Sequence, residues 1–209
     1  MFITFEGIEG SGKTSQIEPV AKYLKERGFD CVITHEPGGT EICKKIRQIL
    51  LDSKNTNLCS KAELLLYMAD RAQHIHEVIE PKLKEGKIVL CDRYFDATVS
   101  YQGFARGMGI GFVANLHKMI LDDLRPDITF LFDLPVEIGL KRARGDIQKG
   151  KRGKEDSRFE NEKMQFHEKV RQGYLIIAKW QFPRFEMIDA SKTEMMVFHQ
   201  IIKILDERI

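Results

Sequence analysis

The chain has 209 residues, 43% of them hydrophobic and 31% charged, with a formal net charge of +2 at pH 7. That length fits one domain that buries a core without disulfides or a structural metal, and the charge is too small to imply a nucleic-acid or membrane partner. The opening MFITFEGIEG lacks the basic flank and long apolar core of a secretion signal, no apolar run spans a bilayer, and Cys31, Cys43, Cys59 and Cys91 form no C-x-x-C pair, so a cytoplasmic globular protein without zinc knuckle or redox motif is expected.

In chain order, short β-branched or aromatic runs alternate with longer amphipathic stretches, the pattern of a parallel sheet covered by helices on both faces. Strands are predicted at Phe2–Glu6, Cys31–His35, Ile88–Asp92, Ile128–Asp133 and Phe185–Asp189, which makes an α/β fold around a five-stranded parallel sheet. Carboxyl ends of such strands face the ligand crevice, which places Asp92 and Asp133 as candidates for the site. For Asp133 the alternative is a polar residue that merely marks the chain leaving the core.

Ser60 and Glu63 have the spacing of a capping box, so a helix is expected to begin there, with Leu65, Met68, Ala72, Ile75 and Ile79 on its apolar face. Pro81 should bend or end that helix, because it removes a backbone donor. No repeat or Pro/Ser-rich linker divides the chain, and residues 1–209 read as one unit. Lys141–Lys154 departs from the background, with seven basic side chains, one acidic and three glycines, and such a segment belongs in solvent.

The first predicted turn carries the sharpest motif. Gly7, Gly12, Lys13 and Thr14 satisfy G-x-x-x-x-G-K-[ST] between a predicted strand and a predicted helix, the context this phosphate-binding loop requires. Gly7, Ile8, Glu9, Gly10, Ser11, Gly12, Lys13, Thr14 and Ser15 are therefore the candidate ATP-binding residues. Backbone N–H groups and the helix N-terminus receive phosphate oxygens, Lys13 adds a full charge, and the Thr14 hydroxyl is placed for Mg²⁺. Neither an N-K-x-D nor a D-x-x-G signature of GTPases is present, and a compact nucleoside monophosphate kinase fits the length.

Read together, FEGIEGSGKT, HEPGGT, CDRYFDATVSYQG, RPDITFLFDLPVEIGLKRARG and DSRFENE resemble the bacterial thymidylate kinases, from about Phe2 to beyond Glu162. The resemblance implies a P-loop nucleotide kinase fold with a basic lid near residues 142–156, transfer of the ATP γ-phosphoryl group to dTMP, and a homodimer paired through the helices after Thr40 and Ser60. It assigns Glu9 to the acceptor's 3′-hydroxyl, the alternative being an exposed loop acid turned to solvent. Arg93 matches the arginine that grips the acceptor phosphate, which a guanidinium does through paired hydrogen bonds. Tyr67 corresponds to the aromatic stacked on thymine, Arg71 to a base-carbonyl donor, Thr98 to a contact on the base edge, and Tyr101 to the wall that excludes a ribose 2′-hydroxyl. Gln102 lines the same pocket. Glu36 stands near the metal or acceptor phosphate, with Pro37, Gly38 and Gly39 shaping its turn.

Asp92 ends its strand as a Walker-B acid does and joins Thr14 as a candidate Mg²⁺ residue. Gly10 occupies the position where one class of these enzymes carries an arginine, so the missing charge is expected from Arg142, Arg144 or Arg152, with Arg144 and Arg152 as the candidate catalytic pair beside Lys13, Arg93 and Glu9. Arg158 either closes on the donor or anchors the lid by pairing with a glutamate. His35 stands where the family usually has arginine, and the remaining histidines show no shared ligand spacing. Two other readings stay open: a kinase for dUMP, dGMP or a broader set of acceptors, and a non-catalytic ATP-binding module.

Overall fold

The structure is a computed structural model and describes residues 1–120, 124–149, 158–159 and 161–209. Its strands are β1 (Phe2–Gly7), β2 (Cys31–His35), β3 (Ile88–Asp92), β4 (Ile128–Asp133) and β5 (Phe185–Asp189). They form one parallel five-stranded sheet in the order β2-β3-β1-β4-β5. Every predicted strand is present, and β1 extends one residue further, to Gly7.

Burial accounts for this order. β1 is buried at every position and β4 at all but its last, as central strands covered on both faces must be. Thr4 and Thr129, polar in that interior, satisfy each other through a 2.9 Å hydroxyl hydrogen bond. The edge strands bury fewer side chains, Cys31 and Thr34 in β2 and Phe185 and Ile188 in β5.

Among the described residues the helices are α1 (Lys13–Glu26), α2 (Glu41–Leu51), α3 (Ser60–His74), α4 (Glu80–Lys84), α5 (Phe95–Thr98), α6 (Ile110–Ile120), α7 (Val136–Gln148), α8 (Met164–Trp180) and α9 (Glu194–Arg208). Two π-helical turns, Ile75–Ile79 and Val99–Ala105, join neighbouring helices. None of these helices is long and apolar enough to cross a membrane.

α3 corrects three expectations. Its N-cap is Cys59 and no side chain caps it; Glu63 turns inward instead, 1% exposed, and accepts from Gln102 Nε2 at 2.7 Å and Arg158 Nη2 at 2.6 Å. A cationic partner in the interior outcompetes a backbone amide at the helix end. The inward stripe is also rotated: Leu64, Met68, Arg71 and His74 are buried, whereas Leu65 is 62% exposed and Ala72 is exposed as well. Of the two outcomes expected at Pro81, ending the helical run is not observed: α3 gives way to the π-helical turn Ile75–Ile79, which leads directly into α4, and Pro81 sits in that helix's first turn, where a missing donor is tolerated.

Strand β1 lies between β3 and β4, where the direction of winding reverses, so its carboxyl end opens onto the ligand crevice. Register sets Asp92 beside Phe5 and Phe132 beside Gly7, which brings the ends of β1, β3 and β4 level around the loop that follows.

Candidate active site

The loop from Gly7 to Lys13 leads into α1 through Gly12, whose φ of 86° starts the helix without any side-chain cap and with no acidic residue in the first turn. The first amide donors of α1 are thereby left for an anion. Gly10 is fixed by a close approach: a Cβ there would lie 2.0 Å from the Gly139 carbonyl oxygen of α7, and its φ is 67°. A side chain, the alternative arginine included, therefore has no room at this position. Lys13 is buried, and its Nζ lies 3.3 Å from the Ile8 carbonyl oxygen, curled over the loop.

Thr14 Oγ1 donates to Asp92 Oδ2 across 2.5 Å. The second oxygen, Asp92 Oδ1, is buried without a hydrogen-bond partner among the described residues. A hydroxyl and an unsatisfied carboxylate oxygen beside a phosphate loop are the hard oxygen donors that Mg²⁺ takes, so these residues fit that ion. Asp133, the other strand-end candidate, is instead held by Arg171 through bonds of 2.6 and 2.8 Å.

Between the loop and the far end of the crevice lies a buried carboxylate cluster. Glu9 is 5% exposed, which rules out the solvated-loop alternative. Its Oε1 accepts from Tyr101 Oη at 2.5 Å and Arg93 Nη2 at 3.2 Å. Its Oε2 lies 3.2 Å from His167 Nδ1, yet the two are not aligned for a hydrogen bond, and both atoms are buried and otherwise unpartnered. Burial pushes Glu9 up, but His167 together with the charges of Arg93 and Lys13 outweighs it and holds the carboxyl well below its ordinary range. Glu9 is thus ionised although it has left water.

Arg93 is held as tightly. Its backbone is left-handed, φ 67°, with its N–H donating to the Phe5 carbonyl at 3.0 Å. Nη1 donates to the Gly7 carbonyl at 2.9 Å and to Tyr174 Oη at 3.0 Å. The guanidinium also sits 5.1 Å from the centroid of the Tyr101 ring.

At the other end, Arg71 is 1% exposed and almost fully engaged. It donates Nε to Glu36 Oε2 at 2.7 Å, Nη1 to Thr98 Oγ1 at 3.0 Å, and Nη2 to the Tyr94 carbonyl at 3.0 Å. Nη1 also lies 2.7 Å from His117 Nε2. Burial, then the charge of Arg71, pushes His117 down to about 2, so this imidazole is neutral and accepts. Glu36 Oε1 meets His74 Nδ1 at 2.9 Å, and His74 Nε2 meets Thr34 Oγ1 at 2.6 Å. Burial opposes the Glu36 charge, but Arg71 and His74 hold its carboxyl below the usual range. Pro37 offers its carbonyl to Arg47 Nη1 at 2.9 Å, and His35 is exposed beside them. Half-buried Tyr67 faces the same space.

The phosphate loop, Glu9, Arg93 and the Arg71 end border one cleft of about 1480 Å³, more than the upper end of roughly 1,000 Å³ usual for one small ligand. Lys13, Thr14, Glu9, Glu36, Tyr67, Arg71, Asp92, Arg93, Thr98, Tyr101 and Gln102 are brought together in it. On the α7 wall the cleft is lined by Lys141 and Arg142, the latter donating to the Ala190 carbonyl at 2.8 Å, whereas exposed Arg144 is not among the described lining residues. Arg152 and the rest of 150–157 lie outside the described residues. Of the two roles open for Arg158, pairing is the one observed: it binds Glu63 and the Leu50 carbonyl, at 2.6 Å each.

Sequence reasoning passed over Glu6, Tyr174, His117 and His167. A signal existed for two of them: His167, Val170 and Tyr174 follow helical spacing on α8, a polar pair on an otherwise buried stripe. Glu6 and His117 gave none, since their partners are 88 and 46 residues away in the chain.

The family model described as Thymidylate kinase matches residues 5–201. Thymidylate kinase of Desulforapulum autotrophicum is 50% identical over 209 residues, covering 100% of this chain and 92% of its own. That of Desulfosudis oleivorans is 50% identical over 206 residues, covering 99% and 96%. Among solved structures, the crystal structure of thymidylate kinase from Ehrlichia chaffeensis superposes with a TM-score of 0.77 at 35% identity, covering 98% of each chain. A match that runs through the phosphate loop, the Asp92–Arg93 turn and the helices around the cleft leaves one conclusion: this chain belongs to the thymidylate kinase family.

Proposed function

We propose that the cleft holds ATP at its Lys13 end and dTMP at its Tyr67 end, with Glu9 and Arg93 at the junction where phosphoryl transfer takes place. As a thymidylate kinase the protein transfers the γ-phosphoryl group of ATP to dTMP, giving dTDP and ADP. The observation that carries the residue assignment is the buried Glu9–Tyr101–Arg93 junction between the phosphate loop and the aromatic end of a single two-ligand cleft.

The backbone donors of α1 and Lys13 take the donor phosphates. Arg93 has donors left over after its bonds to Gly7, Tyr174 and Glu9, and these take the acceptor phosphate. Glu9 Oε2, ionised and unsatisfied, is the acceptor for the sugar 3′-hydroxyl. Tyr101, pinned to Glu9 by its hydroxyl, packs its ring against the sugar at C2′. The Tyr67 ring stacks on the base, and Thr98 and the remaining Nη2 hydrogen of Arg71 read its edge. Thr14 and Asp92 are the residues that hold Mg²⁺, which when bound neutralises phosphate charge. The last cation, which Gly10 cannot supply, comes from the Arg144–Arg152 stretch.

No residue has to act as general base. A phosphate monoester has a second pKa of about 6, so the attacking oxygen is largely deprotonated at neutral pH. The barrier lies in bringing two anions together and in the spread charge of a loose transition state, which fixed cations at Lys13 and Arg93 stabilise. The assigning experiment is a coupled ADP-release assay over a panel of nucleoside monophosphates. ADP with dTMP alone is expected; equal rates with dUMP or dGMP would reassign the base pocket, and ADP with none would favour a binding module.

The chain is further proposed to act as a homodimer. Ile42 and Ile49 on α2 and Leu65 on α3 are 50%, 46% and 62% exposed, an apolar face on the helices where the resemblance places pairing. Light scattering giving the mass of one chain at micromolar concentration would refute this.

A further inference from the structure

Beneath Arg93 lies a fully buried acid that the reaction above does not use. Glu6, the penultimate residue of β1, has no exposed surface. Its Oε1 accepts from the Tyr94 N–H at 2.7 Å, and its Oε2 accepts from Tyr174 Oη at 2.7 Å. Tyr174 Oη in turn accepts from Arg93 Nη1 at 3.0 Å. The charges acting on Glu6 are Asp96 on α5, itself paired with Arg184 through bonds of 2.7 and 2.8 Å, and Arg93 after β3. Glu6 therefore keeps only neutral donors on its oxygens.

We propose that Glu6, acting through Tyr174 and the Tyr94 amide, is a positioning residue that fixes Arg93 for the acceptor phosphate. This rests on the reading that Arg93 binds that phosphate. Two features of the geometry support it. Arg93 is the one described non-glycine residue with positive φ, a conformation that L side chains disfavour, and Glu6 holds the amide immediately after it. A phenol between a carboxylate and a guanidinium also has one consistent arrangement, donating to the former and accepting from the latter. Burial, with the charge of Glu6, drives the Tyr174 phenol well above its ordinary range, so it keeps the proton this arrangement needs. Burial, then the charge of Asp96, pushes Glu6 itself up to about 7, against which Arg93 and the bonds from Tyr174 and the Tyr94 amide act.

A Glu6→Gln amide presents N–H to Tyr174, reverses the phenol, and removes the acceptor that Arg93 uses. The bland alternative is that Glu6 merely fastens α8 to β1. A double-mutant cycle on kcat with dTMP separates them. Glu6→Gln is expected to lower kcat about tenfold or more with the KM for ATP within about twofold of parental, since a 1 Å misplacement of a catalytic group costs on the order of 100-fold. Arg93→Ala is expected to cost at least ~100-fold, and Glu6→Gln in that background is expected to cost nothing further. A Glu6→Gln variant with parental kcat, or one whose loss multiplies that of Arg93→Ala, overturns the proposal. Where Glu6→Gln does not fold, Tyr174→Phe completes the same cycle with the same criteria. Parental kcat in Arg93→Ala alone would refute the role given to Arg93 and the positioning inference with it, an outcome visible in the single variant.

Discussion

Tyr101 and Glu9, 92 residues apart in the chain, meet through a 2.5 Å hydrogen bond from the phenol to a carboxylate that burial would otherwise neutralise. The bond fixes two things at once: which oxygen of Glu9 is left without a hydrogen-bond donor, and where the Tyr101 ring stands. Tyr101→Phe keeps the ring and loses the donor. A hydrogen bond to a charged group contributes about 1.5–3 kcal/mol to stability, so unfolding free energy should fall on that order, and kcat/KM for dTMP should fall on the order of 10-fold or more as the Glu9 carboxylate loses its fixed orientation. Tyr101→Ala also removes the ring, and steady-state assays should then show greater acceptance of ribothymidine monophosphate than the parent; unchanged discrimination would remove Tyr101 from the sugar site.

Lys13→Ala should lower kcat by at least ~100-fold, because the lost cation acts on charge that develops during transfer. Its melting temperature and its affinity for dTMP, measured by calorimetry, should stay near parental. Near-parental turnover would contradict the placement of the donor phosphates.

Gly10 offers a test of packing rather than charge. A Cβ 2.0 Å from the Gly139 carbonyl, on a backbone of φ 67°, is expected to destabilise by roughly 1–3 kcal/mol or more in Gly10→Ala. Gly10→Arg, which would move the missing cation into the loop, should lower the melting temperature further and fail to compensate for loss of Arg144 or Arg152. Rescue of such a variant by Gly10→Arg would show that α7 does not hold the loop as observed.

The pH dependence of stability follows from Glu6. Its pKa rises from an ordinary 4.5 to about 7 in the folded protein. Between those values the native state binds more protons than the unfolded one, so this group's contribution to stability falls as pH rises through that window. The difference in unfolding free energy between parent and Glu6→Gln, measured by denaturant titration, should therefore shift against the parent from pH 4.5 to pH 7. A flat difference would mean that Glu6 titrates normally.

Much of this was legible in the sequence because it depends on local pattern. β1 and β4 read as strands since both faces are buried, and the phosphate loop read as such since Gly7, Gly12, Lys13 and Thr14 are close in the chain. Glu63 and Leu65 misled because helical spacing alone does not say which face meets the core, and an Arg158 arriving from 95 residues away decides it for Glu63. The cluster under Arg93 stayed hidden for the same reason. His167 and Tyr174 share a helical spacing on α8, but what they and Glu6 touch is fixed only when α8 is laid across the end of β1.

The most direct measurement is label transfer. The protein is incubated with ATP labelled in its γ-phosphoryl group, dTMP and Mg²⁺, and the nucleotides are separated. Label is expected in dTDP for the parent and nearly none of it in Lys13→Ala and Arg93→Ala. Label released as inorganic phosphate, or passed equally to every nucleoside monophosphate offered, would contradict the proposed transfer to dTMP.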